Sequence, residues 1–218
     1  VMKACEAVLN KLIYGLSEQE SIGFRRIDTL LVSDDGRISI PIADAFSGRH
    51  FDETVIHRHL PTFPLDKDGQ GNAHVSFAFA AHRAVVDVDE ELGLVRVVEV
   101  ATSQDVGRVL NPVQARGQIE GGITQGLGLA ILEEIILKDG IIQNANFTDY
   151  LLPTALDTPE IQIAALIEEP EPGAPFGAKG IGEPPVISST PAIVAAIRNA
   201  TGLDLARVPV RPEDIALG

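Results

Sequence analysis

The sequence predicts an α+β fold, in which antiparallel hairpins and a sheet pack with a few helices. Two observations lead to this fold class. Short apolar or alternating segments occur in pairs around turn residues, as in hairpins. The segments with helical periodicity stand apart from those strands, which favours α+β over a parallel sheet. With 45% apolar residues in 218, the chain is long and apolar enough to bury a core.

The predicted strands come mostly as hairpin pairs. The three pairs are residues 27–33 with 37–40, 83–89 with 94–101, and 134–137 with 141–143. Two single segments are also expected to be strands, residues 74–80 and 161–167. In the first of these, Val75, Phe77 and Phe79 share one face. Residues 41–72 hold several prolines and glycines, and we expect loops there with one short strand.

Two helices are predicted at the ends of the chain. Apolar residues recur at helical spacing from Met2 to Leu16, and this helix is expected to end near Gly15. Cys5 falls on its apolar face, which predicts a buried structural thiol. In the last helix, Thr190 is the predicted N-cap, followed by Pro191, and Gly202 is the stop.

Composition and charge exclude several classes of function. The formal net charge of −14 argues against a nucleic-acid partner, because phosphates would be repelled. No apolar run approaches the ~20 residues that cross a bilayer, so no membrane span is expected, and no signal sequence is recognised. The use of a single cysteine fits a cytoplasmic protein, which is the expected location. The single cysteine cannot ligate an iron–sulfur cluster, which takes about four thiolates.

One carboxylate lies in an unusual local sequence. Residues 177–185 read Gly-Ala-Lys-Gly-Ile-Gly-Glu-Pro-Pro. The glycines let the backbone approach a ligand, and Pro184 and Pro185 stiffen the chain directly after Glu183. A carboxylate held in this way suits general-base chemistry. The alternative is a glycine-rich surface turn with an incidental glutamate.

A second glycine-rich run, residues 117–128, has helical periodicity through Ile119, Ile123 and Leu127. Each glycine inside a helix costs about 1 kcal/mol relative to alanine, so five of them need a reason. Either close packing against a neighbouring segment or contact with a bulky cofactor would supply it.

Other candidate sites carry less weight. His57 and His59 could share one face of a strand and bind zinc. No third ligand is near in sequence, so two solvated histidines are the simpler interpretation. Neither glycine run completes a dinucleotide fingerprint. Among the remaining acids, Glu133 and Glu134 look like the solvated end of a helix, and Glu120 is given no catalytic role.

Together the two glycine-rich runs resemble the molybdenum hydroxylases, the xanthine dehydrogenase and aldehyde oxidase family. The resemblance extends over most of the chain and is weakest between residues 30 and 70. Further segments that fit the family pattern are residues 1–5, 105–112, 149–154 and 209–213.

The resemblance implies a molybdopterin cofactor and an enzyme that hydroxylates an aldehyde or N-heterocycle carbon with water-derived oxygen. Glu183 matches the catalytic glutamate of the family, and Gln118 matches a residue that contacts molybdopterin. Lys179, Ile181 and Gly182 are expected to line the same site. The pterin holds the metal, so no protein ligand to molybdenum is expected. The 2Fe-2S and FAD groups that drain the electrons are expected on partner chains or segments.

The resemblance also bears on domain organisation. Residues 1–218 are expected to be the C-terminal portion of a molybdopterin-binding domain, with possible sub-lobes 1–80 and 81–218. The expected partners are the N-terminal half of the molybdenum subunit, iron–sulfur and flavin subunits in an oligomer, and a small-molecule substrate. Two alternatives stay open: a non-catalytic assembly or binding module that keeps the fold, and a reductase of the same family acting on an aromatic acyl thioester.

Overall fold

A computed structural model describes all residues from Val1 to Gly218. The chain divides into two compact units, Val1–Leu60 and Pro61–Gly218. Each unit has its own cluster of buried apolar side chains. The candidate site lies within the second unit.

The first unit consists of two helices and a small antiparallel sheet. Its elements in chain order are α1 (Met2–Glu20), β1 (Phe24–Ile27), β2 (Leu30–Ser33), β3 (Ser39–Pro41) and α2 (Ile42–Phe46). The strands pair in the order β1-β2-β3, with both pairs antiparallel. Leu12 and Leu16 of α1 are buried together with Leu31 of β2.

Several expectations for this unit need correction. The hairpin of β2 with β3 is confirmed, but the predicted strand 27–33 is broken by a turn, because Asp28 adopts a positive φ of 55°. Residues 41–72 contain the short helix α2 rather than a short strand. α1 continues through the exposed Gly15 to Glu20, since burial of Leu16 beyond the glycine offsets its low helix propensity.

The environment of Cys5 also differs from the expectation. Its side chain is exposed, so the predicted buried thiol is wrong. The buried cluster of this unit covers α1 only from Leu9 onward, which leaves the first turns of the helix open.

The second unit carries the larger sheet and core. Its elements in chain order are β4 (Ala80–Asp89), β5 (Leu94–Asp105), α3 (Pro112–Ile131), β6 (Leu137–Lys138), β7 (Ile141–Ile142), β8 (Glu160–Ile167), a short 3-10 turn (Pro175–Gly177), α4 (Pro184–Thr201) and α5 (Pro212–Ala216). The sheet order is β4-β5-β8, and β6 pairs with β7 separately.

Strand pairing confirms most of the expected elements. The β4–β5 and β6–β7 hairpins are present, and β8 lies where a strand was predicted. The expected strand 74–80 is wrong, because regular pairing begins only at Ala80 and Phe77 and Phe79 are exposed. One pairing was not foreseen: β5 and β8 run parallel, joined by a crossover that contains α3. The mixed α+β class is confirmed.

Helices α3 and α4 form the core of this unit with the sheet. Ile119, Ile123 and Leu127 on α3 are fully buried, as are Ile193 and Ile197 on α4. α4 begins at Pro184, six residues before the predicted cap, because Pro184 and Pro185 occupy its first two positions and Pro191 is accommodated inside the helix. Its C-terminal stop at Gly202 is confirmed. No helix of the protein combines the length and apolar character that crossing a bilayer requires.

Candidate cofactor-binding site

Close contact between α3 and α4 positions the first residues of α4. A Cβ atom placed on Gly122 would lie 2.8 Å from Cβ of Pro185, and one on Gly126 would lie 3.1 Å from the carbonyl oxygen of Val186. Thr190 Oγ1 donates a 2.9 Å hydrogen bond to the Gly126 carbonyl across the same contact. The glycines of α3 therefore set the place at which α4 starts.

Glu183 occupies the residue directly before α4. Its carbonyl accepts hydrogen bonds from the N–H groups of Val186 and Ile187, at 3.0 and 3.1 Å. Its side chain is exposed and makes no capping hydrogen bond. The backbone of Glu183 is thus fixed by the helix, while its carboxylate remains available.

A cavity of about 220 Å³ brings three of the predicted site residues together. Gln118 from α3 lines it with Lys179 and Ile181 from the loop before α4. Gly182 lies next to this group, since a Cβ atom on Gly182 would be 3.9 Å from Gln118 Oε1. Glu183 follows in the chain and does not line the cavity itself.

Lys179 is tied to the end of β5. Its Nζ donates to Asp105 Oδ2 at 2.6 Å, and the two side chains are only 7% and 6% exposed. The N–H of Gly107 donates to the other carboxylate oxygen of Asp105 at 3.1 Å. Lys179 thus lines the cavity while its ammonium is engaged in a buried ion pair, and its expected contact with a cofactor stays a prediction.

The pKa of Asp105 reflects this environment. Burial alone would raise it, but the hydrogen bonds from the Lys179 ammonium and the Gly107 N–H, with the attraction of the lysine charge, leave the pKa below its usual value. Asp105 is therefore a carboxylate at neutral pH.

Backbone pairing reinforces the ion pair. The N–H of Lys179 donates to the Val106 carbonyl at 3.0 Å, and the N–H of Arg108 donates to the Gly177 carbonyl at 2.9 Å. Gly107 adopts a positive φ of 58°, and a Cβ atom there would meet the Gly177 carbonyl and lie 2.8 Å from the Lys179 nitrogen. Only a glycine fits this close approach.

Six of the eleven residues that line the cavity are apolar, and none is a carboxylate, although the chain as a whole is acidic. Carboxamides of Asn111, Gln114 and Gln118 contribute to it. Arg108 also lines it and takes part in none of the ion pairs of the chain. Nearby, Glu168 Oε2 accepts from the N–H of Val109 at 2.9 Å. The carboxamides and the Arg108 guanidinium therefore offer partners to the polar or anionic groups of a ligand.

Two residues of this site were not found by sequence reasoning. Segment 105–112 was recognised only as a turn before the glycine-rich helix, so Asp105 and Arg108 received no role. The available signal was an aspartate that ends an alternating strand, followed after one residue by glycine. That pattern indicates a turn, and it carries no information about a lysine 74 residues later.

The other candidate residues do not line this cavity. His57 and His59 are exposed, and no set of three or more His, Cys, Asp or Glu side chains is arranged to hold a metal ion. The solvated-end reading of Glu133 and Glu134 is wrong: Tyr150 donates to Glu133 Oε2 at 2.7 Å, and Arg211 forms hydrogen bonds to Glu134. Glu120 is exposed.

Comparison with known proteins gives the class of this domain and its family. Residues 1–159 match the model of the molybdopterin cofactor-binding domain. The xanthine dehydrogenase molybdenum-binding subunit of Escherichia coli is 37% identical over 138 residues, which are 62% of this chain and 18% of the relative. The chain therefore belongs to the molybdopterin cofactor-binding domain family of the molybdenum hydroxylases.

Solved structures agree with this assignment. The aldehyde oxidoreductase of Desulfovibrio gigas superposes with a TM-score of 0.62 and 33% identity, over 68% of this chain and 16% of that one. The CO dehydrogenase of Oligotropha carboxidovorans superposes with a TM-score of 0.73 over 98% of this chain and 27% of that one; at 19% identity it supports the fold alone. The chain thus spans less than a third of each protein that it resembles.

Proposed function

We propose that the chain forms one wall of the molybdopterin site in a molybdenum-dependent oxidoreductase. The reaction is hydroxylation of an aldehyde or N-heterocycle carbon with water-derived oxygen, and Glu183 is the general base. One observation carries the assignment: Glu183, whose carboxylate has no hydrogen-bond partner, has its backbone fixed at the start of α4, directly after Gly182, which adjoins Gln118.

The residues around the cavity fit such a cofactor. Molybdopterin is a polar molecule with an anionic phosphate, and the cavity offers carboxamides and the Arg108 guanidinium without a competing carboxylate in its lining. Gln118 can both donate and accept hydrogen bonds to a pterin. Lys179, Ile181 and Gly182 would contribute backbone and apolar contacts on the same side, since the Lys179 ammonium is engaged by Asp105.

The chemistry is divided between cofactor and protein. When bound, molybdopterin would supply the redox centre that takes up the two electrons lost by the substrate carbon. Glu183 would accept the proton that the attacking water-derived oxygen loses. Its backbone lies directly before α4 and is fixed by that helix, which limits where the carboxylate can lie, as general-base catalysis requires.

Electron transfer away from the site would need other chains or segments. The one cysteine of this chain cannot hold a 2Fe-2S cluster, so we propose that iron–sulfur and FAD groups lie on partner chains or other segments of the protein. The remaining wall of the cofactor site and the substrate pocket would come from the N-terminal half of the molybdenum subunit.

The test is the substitution Glu183→Gln in the complete enzyme, with Glu120→Gln as the matched control. The amide keeps the shape of the side chain and removes its basicity. We expect kcat to fall by roughly 10²- to 10⁴-fold or more with unchanged molybdenum and pterin content. The control changes an exposed carboxylate of the glycine-rich helix and should keep both activity and cofactor.

If the Glu183→Gln enzyme retains both its molybdenum and its kcat, Glu183 is not the general base. A complete protein that binds no molybdopterin at all, even when it is produced in cells that supply the cofactor, would instead support the non-catalytic module.

A further inference from the structure

The loop that carries Glu183 is held from two sides. On its C-terminal side, α4 begins at Pro184, and Pro185 is fully buried against Gly122. On its N-terminal side, Lys179 is bonded to the end of β5 through both its backbone N–H and its ammonium. Glu183 itself lies four residues beyond Lys179.

Between these two attachments the chain has little support of its own. Residues 180–182 make no backbone hydrogen bonds. Gly180 and Gly182 flank Ile181, and a Cβ atom on Gly180 would meet nothing within 4 Å. Ile181 packs partly against the core, and it is the only side chain of the three that can hold the segment. The position of the Glu183 carboxylate therefore depends on both attachments.

The attachment at Lys179 is electrostatic and buried. A lysine ammonium with 7% exposure needs a counter-charge, and Asp105 is the only group in the chain to which it donates. Asp105 is in turn held by the Gly107 N–H on its second oxygen. Removing the charge of Asp105 would leave the ammonium buried without a partner, and the lysine would be driven toward solvent together with its loop.

We propose that Asp105 is a positioning residue for Glu183 and acts through Lys179. Asp105 does not itself line the cavity and makes no hydrogen bond to Glu183, so its effect on catalysis passes through the loop 179–183. The inference rests on the proposed role of Glu183 as the base. A misplacement of about 1 Å at a catalytic group can cost on the order of 100-fold in rate.

The experiment compares Asp105→Asn and Lys179→Met in the complete enzyme with the control Asp204→Asn. The control removes another Asp–cation pair, the exposed Arg198–Asp204 pair at the far end of α4. We expect both test variants to lower kcat per bound molybdenum by roughly 10- to 100-fold with KM within about twofold of the parent. Hydrogen exchange at residues 177–179, whose N–H groups are hydrogen-bonded in the parent, should become faster in both, while the centre of α4 stays protected. Asp204→Asn should match the parent in each measurement.

Combination with Glu183→Gln separates positioning from a general loss of structure. Because Asp105 acts through Glu183, adding Asp105→Asn to Glu183→Gln should lower kcat no further than Glu183→Gln alone. A second full decrease in the double variant would overturn the inference. Where Asp105→Asn does not accumulate as folded protein, Lys179→Met takes its place, because it removes the buried ammonium and leaves Asp105 bonded to Gly107.

Failure of the inference can be distinguished from failure of the proposed function. If Glu183→Gln abolishes turnover while Asp105→Asn and Lys179→Met keep the parental kcat, the positioning role is wrong and the base assignment stands. If Glu183→Gln keeps its turnover, the proposed function fails, and the positioning of a base by Asp105 fails with it. Exchange at residues 177–179 that equals the Asp204→Asn control overturns the inference whatever the kinetics show.

Discussion

Pro185 lies directly over Gly122, so closely that a Cβ atom on the glycine would be 2.8 Å from Cβ of the proline. The proline ring is rigid and fully buried, and it cannot move aside easily. The glycine content of α3 is thus explained in part by packing within the chain. Gly117 and Gly121 are different, because a Cβ atom on either would meet nothing within 4 Å.

Alanine substitutions at Gly121 and Gly122, neighbours on α3, should therefore have opposite effects on stability. We expect Gly122→Ala to lower the free energy of unfolding by about 1–3 kcal/mol through overpacking against Pro185. Gly121→Ala should raise it by roughly 0.5–1 kcal/mol, because alanine favours the helix and has open space there. Denaturant unfolding of the two variants and the parent measures both. Equal destabilisation by the two substitutions would contradict the close contact.

The Asp105–Lys179 ion pair predicts a dependence of stability on acid. The pKa of Asp105 is lowered in the folded protein, so its contribution to stability is present above its ordinary pKa, near 4, and is lost as the pH falls through the lower folded value. The difference in unfolding free energy between the parent and Asp105→Asn should be largest at neutral pH and should shrink below pH ~4. A difference that is constant down to pH ~2 would show that Asp105 is not preferentially ionised in the folded state.

Gln118→Ala should reduce the molybdopterin content of the complete enzyme without changing which substrates it accepts. An unpaired polar group of the ligand costs on the order of 1–3 kcal/mol, which corresponds to roughly 5- to 150-fold in affinity. Gln125→Ala is the matched control, because Gln125 is exposed two turns later on α3 and does not line the cavity. Metal and pterin analysis of purified protein measures the effect. A full cofactor load with an altered substrate profile would place Gln118 in the substrate pocket instead.

Asn144 should matter for stability although it is remote from the cavity. Its side chain is 5% exposed, accepts from the Ile136 N–H at 2.9 Å and donates to the Glu134 carbonyl at 2.6 Å. Asn144→Ala would leave both backbone groups without partners and should cost about 2 kcal/mol or more. The exposed Asn146 also bonds to its neighbours, and Asn146→Ala should cost well under half as much. Similar losses in the two variants would mean that burial of Asn144 is not the cause.

Sequence patterns correctly predicted the elements that are determined by residues close together in the chain. The β4–β5 hairpin and the glycine stop of α4 follow from turn and capping residues that act on their immediate neighbours. Elements decided by tertiary contacts were misplaced. Thr190 and Pro191 look like a helix start, yet Thr190 bonds across to Gly126 from inside α4. The parallel pairing of β5 with β8 depends on a crossover that no short pattern reveals.

The residues of the candidate site also fall into those that the sequence predicted and those that it could not predict. Gln118, Lys179 and Ile181 were named from two sequence motifs, and the structure brings them to one cavity; their roles and that of Glu183 stay predictions. The partnership of Asp105 with Lys179 could not be predicted, because it joins residues 74 positions apart through side chains that are ordinary in their own surroundings. The pair stabilises the loop because both charges are buried, and the sequence alone does not show which side chains become buried.

The separation of 74 residues between Asp105 and Lys179 affects the order in which the chain folds. Hairpins such as β4–β5 close over a few residues, whereas the Asp105–Lys179 contact must enclose the whole crossover through α3 and β8. Loop closure over longer separations is entropically costlier and slower. During synthesis, residue 105 has left the ribosome well before residue 179 exists, so the Glu183 loop can settle only after nearly all of the second unit has been made. A chain that stops before residue 179 would thus lack both the loop that carries Glu183 and helix α4, whose Ile193 and Ile197 complete the core of the unit.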